Sequence, residues 1–420
     1  VADLLSIPQD PAALLAPEDA GGRLASPGDA EQLAAVYRRR FFAPWHLPAS
    51  VTAQGLALSM DRMLTGKFWG ENLLPRDGAF VALLRENAAL PPTMPPERPA
   101  IVLRRTDLRL LPTRRPFFLD PTLPGEGFPF DQLQMSSVAP GTPVRELLAS
   151  RDGAWVLLEA PFAWGWAPAA DVAPVDAAFI DRWENGPLAV VLEDDTPAVR
   201  TDGRTLLLAG MGTLLPSLGG DGRAHRVLLP AADAAGAGVI VEGGVPATAA
   251  ALFPLAPAGD TVALLAGRLI GQAYGWGGDF GNRDCSAMTR DLMTPFGIWL
   301  PRHSADQAKA GVYVPLGELP PADRERIILE RGVPWFTLVW VRGHIMLYVG
   351  RRQGRALVLH NLWGLRTRDW WEREGRLVIG RTVITTLQPG LELRDLDPGR
   401  GDLRTRIEGM TLLLPPVAAD

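Results

Sequence analysis

Apolar positions fall into three successive rhythms along the 420 residues, and each rhythm predicts a different kind of structure. Up to about residue 97 they recur at helical spacing. Leu33, Val36, Tyr37 and Phe41 line one side of a stretch from Asp29 to Phe42 that Asp29 can cap and Pro44 stops. Ala79, Val81, Leu83 and Leu84 repeat the signal just before Pro91, Pro92, Pro95 and Pro96. Proline breaks both helices and sheet ladders, so that cluster is the first domain boundary. From Ala100 to about Leu255 the rhythm changes to short β segments between turns, and it repeats. Trp155-Val156-Leu157-Leu158 returns as Arg226-Val227-Leu228-Leu229, and Pro140-Gly141-Thr142 as Met211-Gly212-Thr213, both 71 residues later. Leu111-Pro112-Thr113 aligns with Val199-Arg200-Thr201 once an insertion is allowed in the first copy, over Arg114 to Gln134. Two tandem small barrels are expected, the first with an enlarged loop. From Asp260 the pattern becomes α+β. Asp260-Thr261 can cap a helix through Leu264, Leu265, Leu269 and Ile270, and a second helix opens at Asp284 or Cys285 and ends before Pro295. Strands follow at Thr337–Val341, His344–Val349, Ala356–His360 and Arg376–Thr386. The expected fold is therefore multidomain: a mostly helical region (1–97), two small β-barrels (98–175 and 176–255) and an α+β domain with a C-terminal tail (256–420).

Composition narrows the function. The 44 glycines and 39 prolines, about a fifth of the chain, favour short elements and turns over a helical bundle. Net charge is −5, and Lys67 and Lys309 are the only lysines, so no basic field attracts nucleic acid or anionic lipid. One cysteine rules out an internal disulfide and a zinc site built from paired cysteines. The five histidines lack metal-ligand spacing, so neither a metal nor an organic cofactor is called for. No apolar run reaches the ~20 residues of a membrane span. The chain starts at Val1 without methionine, and the expected location is the cell envelope or periplasm with a leader already removed, the cytoplasm being the alternative.

The single cysteine is the candidate for chemistry. A thiol attacks a carbonyl as thiolate, and two devices lower its pKa: the positive end of a helix and a neighbouring imidazole. Cys285 follows the turn Gly275-Trp276-Gly277-Gly278 and opens a predicted helix. His344 begins the strand His-Ile-Met-Leu-Tyr-Val, whose alternation puts Ile345, Leu347 and Val349 on the core side. His360 ends the next predicted strand, and antiparallel pairing brings both imidazoles to one end of the sheet. A Cys-His system needs a third polar group to fix the tautomer of its base.

The joint pattern is more specific than these residues singly. Tyr274-x-Trp276-Gly277-Gly278, Arg283-Asp284-Cys285-Ser286, Phe296-Gly297-Ile298-x-Leu300-Pro301-Arg302-x-Ser304-x-x-Gln307 and Gly343-His344 occur in this order. Across residues 260 to 390 the chain resembles the NlpC family of papain-like cysteine peptidases, with Ala287 where that family usually has glycine. The resemblance implies Cys285 as nucleophile, His344 as general base and acid, and His360 as the orienting residue, with Asn361 the neighbouring alternative. It also implies substrate contacts from Asp284, Ser286, Ser304, Arg302, Tyr274 and Trp276. Together with Phe41-Phe42-x-Pro44-Trp45 and the two barrels, the chain resembles the bacterial gamma-D-glutamyl-L-diamino acid endopeptidases, which implies that the barrels are SH3-like and the last domain is of papain-like NlpC type. These cut peptidoglycan stem peptides between D-Glu and meso-diaminopimelate or L-Lys and recognise a free amino-terminal L-Ala. On that footing Asp131 is the expected counter-charge for the ammonium and Trp164 an aromatic wall of the cleft. Two other readings remain at this point: a non-catalytic peptidoglycan-binding protein, and a papain-like amidase or acyltransferase.

Overall fold

The computed structural model describes residues 1–16, 26–397 and 399–414. The chain divides into two units. One comprises Val1–Ala34, Ala256–Gly275 and Asn282–Asp420; the other comprises Ala35–Leu255 and Trp276–Gly281.

The second unit is built on two sheets. Strands β1 (Arg98–Val102), β2 (Thr106–Arg109), β3 (Gln134–Val138), β4 (Pro143–Ala149), β5 (Trp155–Glu159), β6 (Trp164–Pro168) and β7 (Val172–Pro174) form the first. Strands β8 (Leu188–Val191), β9 (Thr196–Arg200), β10 (Thr205–Ala209), β11 (Leu214–Gly220), β12 (Ala224–Ala232), β13 (Gly238–Pro246) and β14 (Ala250–Phe253) form the second. Their orders are β3-β2-β6-β5-β4-β1-β7 and β10-β9-β13-β12-β11-β8-β14, the same path with every strand advanced by seven. This is the tandem repeat the sequence pattern predicts. Gly141 and Gly212, at equivalent turns of the two copies, both take positive φ (76° and 86°), a backbone open to glycine at little cost. Among the described residues neither sheet closes into a complete barrel.

Helices α1 (Pro27–Phe41), α2 (Ala53–Thr65) and α3 (Gly78–Ala88) precede the sheets. Thr52 caps α2 by accepting from Gly55 N–H at 3.1 Å, and Asp77 caps α3 through Ala79 N–H at 3.0 Å. Their inner faces, Leu56, Met60, Leu84 and Ala88, join Leu111, Leu133, Leu157 and Trp166 in one buried cluster. The helical region expected over 1–97 is thus shared, since residues 1–34 belong to the other unit. There Gln9 exchanges two hydrogen bonds of 2.9 Å with the backbone of Ile384, and Asp3 accepts from Thr386 N–H at 2.8 Å.

Helix α4 (Ala177–Glu184) leads into the second sheet; α5 (Gly259–Gly267), α6 (Cys285–Met293) and α7 (Pro321–Arg331) belong to the first unit. The predicted Asp260 cap is not formed: α5 begins at Gly259, and the Asp260 carboxylate accepts from Thr261 N–H at 2.6 Å. A six-stranded antiparallel sheet completes this unit. It contains β15 (Val312–Pro315), β16 (Thr337–Val341), β17 (His344–Arg352), β18 (Arg355–Arg368), β19 (Glu374–Thr386) and β20 (Ile407–Leu412), in the order β15-β20-β16-β17-β18-β19. Strand β18 runs eight residues past His360, where the sequence pattern ends it. A register shift between Leu362 and Gly364 absorbs the break in alternation, and pairing with β19 continues to Arg368. Helix α6 packs on β17 and β18, which places the start of the helix over the two histidine-bearing strands.

Candidate active site

Asp284 is the N-cap of α6: its Oδ1 accepts from Ala287 N–H at 2.8 Å, leaving Cys285 as the first helical residue. The thiol is buried, with the backbone N–H groups of Ile345 and Ser286 aimed at the sulfur. Ile345 follows His344 in β17, so this contact ties the head of the histidine-bearing strand to the start of α6. His344 Nε2 lies 2.9 Å from His360 Nδ1, and His360 Nε2 lies 3.1 Å from Thr385 Oγ1. Thr385 donates its own hydroxyl proton to Thr386 O at 2.7 Å. One proton arrangement satisfies the whole line. The Thr385 oxygen accepts from His360 Nε2–H, and His360 Nδ1 accepts from His344 Nε2–H. His344 Nδ1 is then left with its lone pair for the thiol proton.

Electrostatics of the resting site differ from the sequence-based expectation of a depressed thiol pKa. Burial, reinforced by the negative charge of Asp284, pushes Cys285 up to about 12, outweighing the backbone donors and Arg302. Burial, together with Arg406, holds His344 down to about 4. His360 is lowered well below its ordinary value by burial and by His344. The helix start cannot offset the loss of water around the sulfur. The resting pair is therefore neutral thiol and neutral imidazole, and attack requires proton transfer from Sγ to His344 as substrate arrives.

This arrangement carries a stability signature. Folded His344 stays neutral down to about pH 4, whereas the unfolded chain binds a proton there below about 6.5. The unfolded state therefore gains protons first, and the contribution is lost as pH falls through this window. Between pH 7.5 and pH 5 it amounts to about 2 kcal/mol, with His360 acting in the same direction. Urea titrations at the two pH values should show the parent losing that much more stability than His344→Gln.

A second network braces the helix start. Arg302 Nη2 donates to Asp284 Oδ2 at 2.6 Å, and Nη1 donates to Asp284 Oδ1 at 3.1 Å and Ser286 Oγ at 2.9 Å. All three side chains are buried. Gln307 donates to Ser286 O and Pro301 O and accepts from Thr289, tying the Pro301–Gln307 segment to α6. Ser304 opens a short helix, and Tyr274 lies close enough for burial and the charges of Cys285 and Asp284 to raise its phenol well above the usual range. Of the predicted site residues, Cys285, His344, His360, Asp284, Ser286, Arg302, Ser304 and Tyr274 all fall in this unit. Asn361 is not the group that meets His344: His360 holds that place at 2.9 Å, while the Asn361 amide donates to Arg283 O at 2.8 Å.

The remaining three candidates lie in the other unit. Trp276 meets Phe130 edge-on at 5.2 Å. Gly277 and Gly278 sit against β3 with φ of 62° and 89°; a Cβ on Gly278 would come within 2.6 Å of Ser137 Oγ, so glycine is required. Asp131 corrects the sequence expectation. It is 2% exposed; its Oδ2 pairs with Arg109 at 2.6 Å and its Oδ1 accepts from Phe117 and Leu133 N–H. It neutralises a buried arginine and pins the enlarged loop, in place of the ammonium anchor. Trp164 is half-buried against the core cluster of the first sheet. A cavity of about 780 Å³ in this unit is lined by Phe118, Phe128, Trp155 and Phe280 rather than Trp164, and Asp107, Asp171 and Asp279 as well as the Arg109–Asp131 pair reach its wall.

Thr385 is the residue that sequence reasoning missed. Its hydroxyl sets the tautomer of His360, so Thr385→Val removes the acceptor and frees His360 to protonate Nδ1. One lost buried hydrogen bond of about 1.4 kcal/mol corresponds to about a tenfold fall in kcat. Thr385→Ser should restore the rate, whereas a packing defect alone would not distinguish Ser from Val in this way.

A buried thiol at a helix start, backed by histidines on an antiparallel sheet, is the layout of a papain-like hydrolase domain. Residues 271–362 match the NlpC/P60 family, 1–91 its N-terminal stabilising domain, 116–168 an SH3 domain of SH3b1 type and 176–221 one of SH3b2 type. The structure is similar to an NlpC/P60 endopeptidase from Photobacterium damselae subsp. piscicida, at 25% identity and a TM-score of 0.86 over 98% of each chain. It shares its fold with an NlpC/P60 family protein from Bacillus cereus ATCC 10987, at 19% identity and a TM-score of 0.51, covering 76% of this chain and 100% of that one. A comparison with curated proteins gives no match. The chain thus carries an NlpC/P60 domain over residues 271–362, preceded by the stabilising domain and two SH3-like domains that accompany it. Among the described residues no helix is long and apolar enough to cross a membrane, and no group of three or more His, Cys, Asp and Glu side chains could hold a metal ion.

Proposed function

We propose that the chain is a cysteine endopeptidase that hydrolyses the gamma-D-glutamyl-L-diamino acid bond of peptidoglycan stem peptides and requires a free amino-terminal L-Ala. The observation that carries the peptidase reading is the line from His344 through His360 to Thr385, together with the Cys285 sulfur at the start of α6 meeting the N–H of Ile345, the residue next to His344. The bond and the free amine are supported by the motif resemblance set out above. His344 Nδ1 takes the thiol proton as Sγ attacks the carbonyl carbon, and the developing oxyanion is met by backbone N–H at the start of α6. Collapse to the thioester expels the amine of the diamino acid, which leaves with the proton held by His344. The same imidazole then takes a proton from water, which displaces Sγ and releases the new carboxylate. The same reading puts the enzyme in the cell envelope, where its substrate is. The test is mass spectrometry of L-Ala-γ-D-Glu-meso-diaminopimelate after incubation. Release of L-Ala-D-Glu and free diaminopimelate is expected; binding without a new amine would favour a non-catalytic binding protein. Equal cleavage of a stem still linked to sugar would remove the free-amine requirement.

A further inference from the structure

The match to the NlpC/P60 family ends at residue 362, while the hairpin of β18 and β19 continues well beyond it. At its tip the turn Asp369-Trp370-Trp371-Glu372-Arg373 displays two adjacent indoles, Trp370 at 90% exposure and Trp371 at 71%. Tryptophan buries about 150–250 Å² where it is packed, so two exposed side by side form a patch of the size that marks an interaction surface.

The turn is fixed rather than frayed. The Asp369 carboxylate accepts from the backbone N–H of Trp371 and of Arg373, both at 2.9 Å, and from Arg373 Nε at 2.7 Å. Glu372 holds φ = 61°, a left-handed backbone that a non-glycine residue adopts at a cost. Arg373 lies over the Trp371 ring at 5.0 Å, which covers one face of that indole. Below the tip, Leu377 and Ile379 pack with Leu365, Leu393 and Leu396 on one face of the hairpin. The other face carries Gly364, Val378 and Gly380, with Val378 exposed. It begins at Trp363, whose ring meets Tyr274 at 5.7 Å, and Tyr274 N–H donates to Gly380 O at 2.9 Å. The seven steps along the chain from Gly380 to Arg373 span about 23 Å. From the side of the candidate active site this face runs past Gly380, Gly364 and Val378, then past the cross-strand pairs Arg366–Arg376 and Arg368–Glu374, out to the two indoles.

We propose that this hairpin tip is a carbohydrate platform, on which Trp370 and Trp371 stack against the sugar rings of the N-acetylated glycan chain of peptidoglycan. The proposal rests on the peptidoglycan reading above. Amino-sugar rings present apolar C–H faces edged by hydroxyl and amide groups, matching an indole edged by arginine and carboxylates. The charges around the tip are already paired with one another, Arg373 with Asp369 and Arg368 with Glu372, so the patch suits an uncharged polymer. A lipid surface fits less well. Penetration by the indoles would drag those ion pairs into the headgroup layer, and no aliphatic side chain lies in the turn to compensate.

The test uses the full chain and a hexamer of β-1,4-linked N-acetylglucosamine, with binding followed by calorimetry. The parent should bind, and the double variant Trp370→Ala, Trp371→Ala should bind at least tenfold more weakly with an unchanged thermal midpoint. In the parent, the hexamer should also protect Trp370 from N-bromosuccinimide oxidation, read by peptide mass mapping, which needs no variant to fold. A parent that does not bind, a double variant that binds as well as the parent, or an unprotected Trp370 overturns the proposal. So does flotation with phosphatidylcholine–phosphatidylglycerol vesicles that depends on the two indoles while the hexamer is ignored. Hydrolysis of the stem tripeptide is scored separately. A parent that binds the hexamer but leaves the tripeptide intact keeps the platform and loses the peptidase reading.

Discussion

Cys285→Ala is expected to abolish hydrolysis of the stem tripeptide, a fall of at least about 10⁴-fold, because removal of a nucleophile leaves only binding and oxyanion stabilisation. The same variant should unfold within a few degrees of the parent. Cys285 makes no disulfide, and the cap that starts α6 belongs to Asp284 rather than to the sulfur. Loss of activity with retained folding is the signature of the thiol's chemistry; retained turnover would remove Cys285 from the mechanism. Turnover is the right readout for this site, and alkylation is not. With the thiol pushed up to about 12 in the resting chain, iodoacetamide should react slowly even though the residue is the proposed nucleophile. A slow reagent would therefore say nothing against catalysis. What the substrate must supply is the event that lets His344 accept the proton, and its own polar groups entering the site are the available source of that change.

The parts of this site that were legible beforehand are those written into local grammar. An aspartate before a helix start, a glycine-rich turn before it and a histidine at the head of an alternating strand each follow from a few consecutive residues. Asp284, Gly277 and His344 accordingly occupy the predicted positions. The tandem β domains were legible for a similar reason: matching turns and apolar strands recurred at one offset, and the strand orders are identical. Thr385 was not legible, because its contact with His360 depends on the register of β18 against β19, which a shift near Leu362 alters. Asp131 was misjudged because a single acidic residue in a long loop carries no sign of its partner. Arg109 lies on β2, 22 residues earlier, and only the folded sheet brings the two together. The thiol pKa failed in the same way. Helix dipole and imidazole can be inferred from sequence, whereas the degree of burial that outweighs them cannot.

Arg302→Met carries the second large expectation, a loss of about 3–5 kcal/mol in unfolding free energy, the usual cost of leaving a buried charge without its partner. Burial alone would raise the carboxyl of Asp284, but the charge and hydrogen bonds of Arg302, helped by the Ala287 and Ser286 donors, hold it below its ordinary value. Without the guanidinium the balance reverses and the carboxylate is driven towards its protonated form. Parent stability from this group is fully present above the unfolded carboxyl range and fades only as pH falls through the lowered folded value. In the variant the folded pKa lies above the unfolded one, so stability should improve on mild acidification, opposite in sign to the parent. Combining Arg302→Met with Asp284→Asn should recover much of the loss, since no unpaired charge remains; urea midpoints for the four proteins give the coupling directly. Activity should fall with stability in Arg302→Met, because the Arg302 charge that favours the Cys285 thiolate is lost. If the single variant is as stable as the parent, or if the double variant recovers nothing, the Arg302–Asp284 pair does not hold the start of α6.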